Sequence, residues 1–92
     1  MRIRWTEPAT RDLTLICNYI EEHNDRVIAA RIARSIFERI SNLKDAPRQG
    51  RTGRKADTRE LILSDLPYLV VYRIHQDVVE ILRILHGAQN WP

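Results

Sequence analysis

The fold is decided by a stretch near the C-terminus that reads YLVVYRIH at 68–75, QD at 76–77 and VVEILRIL at 78–85. Both eight-residue runs are rich in aromatic and β-branched residues, which is typical of strands. The two residues between them have the length of a tight hairpin turn, although neither is the glycine that such turns favour. In this register Arg73 lies opposite Glu80, an arrangement that stabilises a hairpin by about 0.2–1 kcal/mol. The stretch therefore predicts an antiparallel hairpin.

The same register assigns the hairpin side chains to two faces. One face is aliphatic and is expected to pack under helices: Leu69, Val71, Leu82 and Ile84. The other face suits partial solvation or cover by a partner: Tyr68, Val70, Tyr72, Ile81, Arg83 and Leu85. Both faces are apolar enough to be buried. Arg83 is distinctive because an unpaired charge inside an apolar strand is costly to bury, so it meets either an acid of this chain or a partner or anion.

Apolar residues recur at helical spacing in the N-terminal half. Thr6-Glu7-Pro8 supplies a capping hydroxyl, a first-turn acid and a proline whose missing N–H costs little there, and the apolar stripe continues to about His23. Asn24-Asp25 interrupts the pattern and can cap a second helix, which continues to about Lys44. These features predict a helical hairpin that needs a sheet to cover its apolar side.

Two further strands are predicted, at Arg2 to Trp5 and at Glu60 to Ser64. Between the helices and the second of these strands, residues 47–58 form a loop by composition that concentrates basic residues. Its basic members are Arg48, Arg51, Arg54 and Lys55, with Arg59 directly after it. We therefore expect an α+β fold in which an antiparallel sheet of about four strands carries an N-terminal helical hairpin on one face, as a single domain over residues 1–92.

Composition limits the classes of function. A chain of 92 residues with 43% hydrophobic residues can bury one core, and its formal net charge of +3 suggests an anionic partner, either nucleic acid or an acidic protein segment. The lone Cys17 excludes an internal disulfide and is expected to pack as a small apolar residue. We expect no metal and no cofactor. We also expect a cytoplasmic protein that does not interact with a membrane, because neither a signal peptide nor a long apolar run is present.

Four pieces in order carry a family resemblance: REL at 59–61, LPY at 66–68, VYR at 71–73 and VEILRILH at 79–86. Together with the order of predicted elements, they resemble toxins of the RelE/ParE superfamily along the whole chain. The resemblance implies a type II toxin–antitoxin system, in which the toxin arrests bacterial growth and a cognate antitoxin neutralises it in a hetero-oligomer. Its ParE-like branch inhibits DNA gyrase, whereas its RelE-like branch cuts mRNA on the ribosome.

The two branches require different residues. A metal-independent nuclease needs cations and a proton carrier around the scissile phosphate, and the candidates here are Lys55, Arg59, Arg83 and His86. Binding of antitoxin or target is assigned to Arg51, Arg54, Tyr68, Tyr72, Arg83 and Trp91. The long helices, and a tail without tyrosine or a further basic residue, favour the ParE-like branch. A third alternative is a nucleic-acid-binding module using the loop 48–59, which lacks the exposed aromatics usual for such binding.

Overall fold

The computed structural model describes residues 1–87. Its helices are α1 (Glu7–His23) and α2 (Arg26–Ser41), the latter followed by one 3-10 turn at Asn42–Lys44. Its strands are β1 (Arg2–Trp5), β2 (Arg51–Thr52), β3 (Arg59–Ile62), β4 (Tyr68–His75) and β5 (Val78–His86). The predicted helical hairpin and β-hairpin are both confirmed. Among the described residues, no helix is long and apolar enough to cross a membrane.

Both helices begin where the sequence places a capping side chain. The Thr6 hydroxyl accepts a hydrogen bond from the Ala9 amide at 3.3 Å, and a carboxylate oxygen of Asp25 accepts one from the Ile28 amide at 2.8 Å. Each cap satisfies an amide that has no partner within the first turn of its helix. The two-residue break between the stripes is therefore a helix end followed at once by a new N-cap.

The sheet has five strands in the order β1-β5-β4-β3-β2 and is mixed, because β1 pairs with β5 in parallel. The predicted α+β fold with about four strands is confirmed, with two differences in the sheet. The first and last strands pair in parallel, and the helical hairpin lies in the long connection between them. The loop predicted at 47–58 contains the short strand β2, which pairs with β3 through Arg51–Glu60 and Thr52–Arg59.

The predicted pairing of Arg73 with Glu80 is confirmed, but the predicted faces of the hairpin are wrong. The register shifts between Val71 and Tyr72, so that Tyr72 lies opposite Ile81 whereas Val71 lies opposite Arg83. Leu82 is the extra residue of a β-bulge, which reverses the alternation beyond it. The core under the helices includes Val70, Tyr72, Ile81 and Ile84, and a separate cluster on the other side of the sheet includes Leu69, Val71, Leu82 and Leu85.

We call the side of the sheet that faces away from the helices the outer face. Besides its small apolar cluster, it carries two buried acids on neighbouring cross-strand rows. Glu60 lies in the row of Arg51 and Val71, and Glu80 lies in the row of Arg4 and Arg73. Since a buried carboxylate needs a cation or several donors, these rows determine where the arginines of the outer face are held.

Candidate functional site

Glu60 organises the basic segment, residues 48–59, at the edge of the sheet. Its side chain is fully buried, and it pairs with Arg51 at 2.9 Å and with Arg54 at 3.4 Å. It also accepts a hydrogen bond from the Arg54 backbone amide at 3.1 Å. Burial alone would raise the pKa of Glu60, but the hydrogen bonds from the two arginines outweigh burial and hold this pKa below its ordinary value. Arg51 and Arg54 are therefore fixed by an acid and remain about half exposed.

Tyr72 was expected on a binding surface and lies in the core instead, with none of its surface exposed. Its hydroxyl donates to the Pro47 carbonyl at 2.7 Å and accepts from the Gly50 amide at 2.9 Å. Burial raises the pKa of Tyr72 despite the Gly50 amide. A Cβ atom at Gly50 would lie 2.7 Å from the tyrosine hydroxyl, so a glycine is needed for this close approach. Tyr72 thus holds the segment after α2 against the sheet.

Arg83 meets an acid of its own chain. Its guanidinium donates to both carboxylate oxygens of Asp12 in α1, at 2.7 and 3.0 Å. The hydrogen bonds that Arg83 donates to Asp12 raise the pKa of Arg83 further. Of the alternatives open for Arg83, an internal ion pair is the one observed, and about a third of its side chain remains exposed.

Tyr68 and His86 lie opposite each other on β4 and β5 and form an edge-to-face contact, with ring centroids 6.0 Å apart. Their rings separate two clefts, of about 170 Å³ and 430 Å³. Leu15 lines the smaller cleft, and Ile62 and Arg51 line the larger one. We define the Tyr68 surface by the residues that line one or both clefts and expose apolar or aromatic groups: Leu15, Ile62, Pro67, Tyr68 and His86.

The Tyr68 surface is the most apolar accessible region near predicted site residues. Leu15, which lines the smaller cleft, is 60% exposed, and Ile62, which lines the larger one, is 53% exposed. Burial raises the pKa of Tyr68, and the nearby Tyr19 adds to the effect. Tyr68 therefore remains a neutral hydrogen-bonding group. Apolar clefts beside an arginine fit a protein partner better than a polyanion.

The four residues predicted for a nuclease are not gathered in one site. Arg59 pairs with Tyr72 and His86 pairs with Tyr68, so they are separated by four residues of β4, or about 13 Å of strand. The Arg59 guanidinium donates to the Gly50 carbonyl at 2.8 Å, on the side of the sheet where Tyr72 lies. Arg83 is held by Asp12, and Lys55 is exposed in the loop before β3.

Other sequence predictions concern thiol chemistry, metals and the tail. Burial raises the pKa of the Cys17 thiol, and Glu21 raises it further, so the reactive thiolate is disfavoured. Across residues 1–87, no group of three or more His, Cys, Asp or Glu side chains is arranged to hold a metal. Trp91, predicted to bind antitoxin or target, lies outside the described residues.

Sequence reasoning missed Asp12 and Glu60 among the acids that position the arginines, whereas the pairing of Glu80 with Arg73 was predicted. Asp12, Glu60 and Glu80 each bind an arginine that is distant in sequence or on a neighbouring strand. The available signal was an acid inside an otherwise apolar strand or helix face, since such an acid is rarely buried without a partner. Applied to Glu60, that criterion would have identified a second ion-pair centre beside the predicted one at Glu80.

The α+β sheet with a helical hairpin on one side, and a cationic segment at its edge, defines a toxin fold of the RelE/ParE type. The sequence matches the family described as the ParE toxin of the type II toxin–antitoxin system parDE over residues 3–91. The chain therefore belongs to the ParE toxin family.

Two relatives and one solved structure agree with this membership. A Sinorhizobium fredii protein named as a candidate toxin, Y4kP, is 47% identical over 91 residues, covering 99% of this chain and 93% of its own length. Toxin RelE2 of Caulobacter vibrioides is 33% identical over 88 residues, covering 96% of this chain and 97% of its own length. The solved structure of the chromosomal ParDE toxin–antitoxin system of P. aeruginosa contains a chain that superposes with a TM-score of 0.88 at 26% identity. The match covers 94% of this chain and 95% of that chain.

Proposed function

We propose that this ParE-family toxin arrests bacterial growth by inhibiting DNA gyrase, without an enzymatic activity of its own. The observation that carries the proposal is the separation of Arg59 from His86 by about 13 Å of strand. In-line attack on a phosphodiester needs the base, the acid and the stabilising cations around one phosphorus atom. The guanidinium of Arg83 is engaged with Asp12, and that of Arg59 contacts backbone carbonyls elsewhere.

A cognate antitoxin is the second part of the proposal. We assign it to the Tyr68 surface, because the two clefts there accept apolar side chains and Arg51 lies beside the larger cleft. An amphipathic antitoxin segment would place aliphatic groups near Leu15 and Ile62 and an acid near Arg51. Such a segment removes exposed apolar area from water at about 25 cal/mol per Å², while the acid determines its orientation.

Plasmid topology in cells tests the proposed target. After induction of the toxin without antitoxin, a gyrase inhibitor changes the supercoiling of a reporter plasmid before growth stops, whereas a ribosome-dependent nuclease cleaves translated mRNA first. We expect plasmid relaxation or cleavage, with mRNA ends unchanged over the same interval. Early mRNA cleavage at codon boundaries with unchanged plasmid topology would contradict the proposal and favour the RelE-like alternative.

A further inference from the structure

A cleft larger than the two at the Tyr68 surface lies away from that surface. It has a volume of about 570 Å³ and lies between the basic segment and the end of β4. Its lining residues are Arg48, Thr52, Asp57, Thr58, Arg59, Arg73, Ile74 and His75. The cleft exists because β3 begins at Arg59, opposite Tyr72, so β4 continues beyond β3 and the last three residues of β4 pair only with β5.

Three guanidinium groups line this cleft with little compensating charge. Among the described residues, Arg59 donates to two neutral acceptors, the carbonyls of Gly50 at 2.8 Å and of Arg48 at 3.4 Å. Within residues 1–87, the side chain of Arg48 forms no hydrogen bond or ion pair. Arg73 shares the carboxylate of Glu80 with Arg4.

The acid that lines the cleft does not neutralise it. Asp57 forms no ion pair with any described residue, and Arg48 and Arg59 have no carboxylate partner among the described residues. The cleft therefore carries an excess of positive charge, and its guanidinium groups keep N–H donors that no described acceptor uses. A concave site with clustered cations concentrates anions from solution.

The wall of the cleft is fixed rather than a solvated loop. The Gly53 amide donates to the Thr58 carbonyl at 2.8 Å, and the Thr58 hydroxyl donates to the Lys55 carbonyl at 2.6 Å. A Cβ atom at Gly53 would lie 2.2 Å from the Thr58 hydroxyl, so the turn closes only around a glycine. Asp57 has a φ of 64°, a left-handed conformation that the surrounding bonds hold. A rigid wall lowers the entropy lost when a ligand binds.

We propose that this cleft is a phosphate-binding site, for either a nucleoside polyphosphate or the backbone of a nucleic acid. One arginine satisfies a carboxylate through two parallel hydrogen bonds, whereas three arginines offer more donors than two oxygens can accept. A phosphate group presents three or more acceptor oxygens and a higher charge. The proposal does not depend on where the antitoxin binds, since the cleft and the Tyr68 surface are built from different residues.

Binding of two phosphate probes to the purified chain tests this site. We would measure ATP and a random 20-base-pair DNA duplex by calorimetry at constant ionic strength, for the wild type, Arg48→Gln and Arg31→Gln. Arg48 is the residue to change because its side chain supports no other described group. Arg31, exposed on α2 and outside the cleft, is a control that removes the same charge.

We expect at least one probe to bind the wild type, and the Arg48→Gln substitution to weaken that binding about tenfold, which is the usual effect of losing one charge-assisted hydrogen bond. Arg31→Gln should change binding by less than twofold. The probe that binds identifies the source of the phosphate. Equal losses for the two variants would show a general charge effect and overturn the site, as would absence of binding by both probes. Arg48-dependent binding of a poly-glutamate peptide alone would likewise overturn it, in favour of a protein ligand.

Discussion

Asp12 and Arg83 join the first helix to the last strand through two parallel hydrogen bonds, with Nε–Oδ2 and Nη2–Oδ1 distances of 2.7 and 3.0 Å. The same Asp12 oxygen that accepts from Nε also accepts from the Ile84 amide at 2.9 Å. Since β1 pairs with β5 only as far as Ile81, this carboxylate satisfies an amide at the edge that β1 leaves open. Asp12 therefore has two roles: its carboxylate satisfies the Ile84 amide at the edge of the sheet, and it neutralises Arg83.

Substitution of Asp12 should separate these two roles. Asp12→Asn keeps an acceptor for the Ile84 amide but loses the charge, whereas Asp12→Ala loses both. We expect Asp12→Ala to lower the free energy of unfolding by about 2–4 kcal/mol and Asp12→Asn by about half as much, because a charge-assisted hydrogen bond and a buried amide are lost separately. Urea denaturation measures both changes. Equal stability of the two variants would show that the Ile84 contact contributes nothing.

Glu60 should make stability depend on acid. The pKa of Glu60 in the folded state lies below its ordinary value. Glu60 therefore contributes stability at pH values above its unfolded-state pKa, near 4.3. This contribution is lost as the pH falls through the folded-state pKa. We expect the free energy of unfolding to decrease as the pH drops below about 5. The Glu60→Gln substitution should make this decrease smaller. Glu22→Gln, an exposed acid without an ion pair among the described residues, is the matched control. If the Glu60→Gln variant lost as much stability at low pH as the wild type, Glu60 would not be the source of this pH dependence.

Tyr72→Phe should loosen the segment after α2 without unfolding the chain. The substitution removes the hydroxyl that bonds Pro47 and Gly50, at a cost of about 1–3 kcal/mol, because a buried carbonyl and a buried amide lose their partner. Hydrogen exchange at the Gly50 amide should accelerate more than exchange in α1. Uniform acceleration across the chain would indicate global destabilisation rather than a local restraint.

Charge on the Tyr68 surface should block antitoxin binding. We expect Leu15→Asp and Ile62→Asp each to weaken the complex with the cognate antitoxin by at least tenfold, since each buries a carboxylate in an apolar contact. Both side chains are more than half exposed, so the isolated toxin should keep its thermal midpoint. Val27→Asp, at an exposed position on α2, provides the control. Wild-type affinity in both surface variants would place the antitoxin elsewhere.

The elements of this fold are largely readable from local sequence. Thr6 and Asp25 cap their helices as their residue types predict, and opposite charges at Arg73 and Glu80 indicate the hairpin register. The face assignment failed in two ways: the face of Val70 and Tyr72, not the aliphatic face of β4, lies under the helices, and Leu82 forms a bulge in β5. Tertiary contacts favour this bulge. The Thr6 hydroxyl donates to the carbonyls of Ile81 and Leu82, at 2.7 and 3.2 Å, and only the docked helix supplies that hydroxyl.

The site was harder to predict than the fold, because its residues are organised by pairs distant along the chain. The partner of Arg83 lies 71 residues away, and no periodicity within one strand indicates it. Tyr72 resembles a surface tyrosine in sequence, yet its hydroxyl is satisfied inside the core by backbone groups 22 and 25 residues earlier. Tyr68, predicted on the same grounds, does lie at an accessible cleft.

Whether this toxin inhibits DNA gyrase can be measured from the supercoiling activity of purified gyrase on relaxed plasmid, with and without the purified toxin. We expect the toxin to inhibit supercoiling in proportion to its concentration, and equimolar antitoxin to restore it. The Leu15→Asp toxin should keep its inhibition yet resist the antitoxin if antitoxin and gyrase use different surfaces. Unimpaired supercoiling by a toxin preparation that still arrests growth would contradict the account and direct attention to the ribosome.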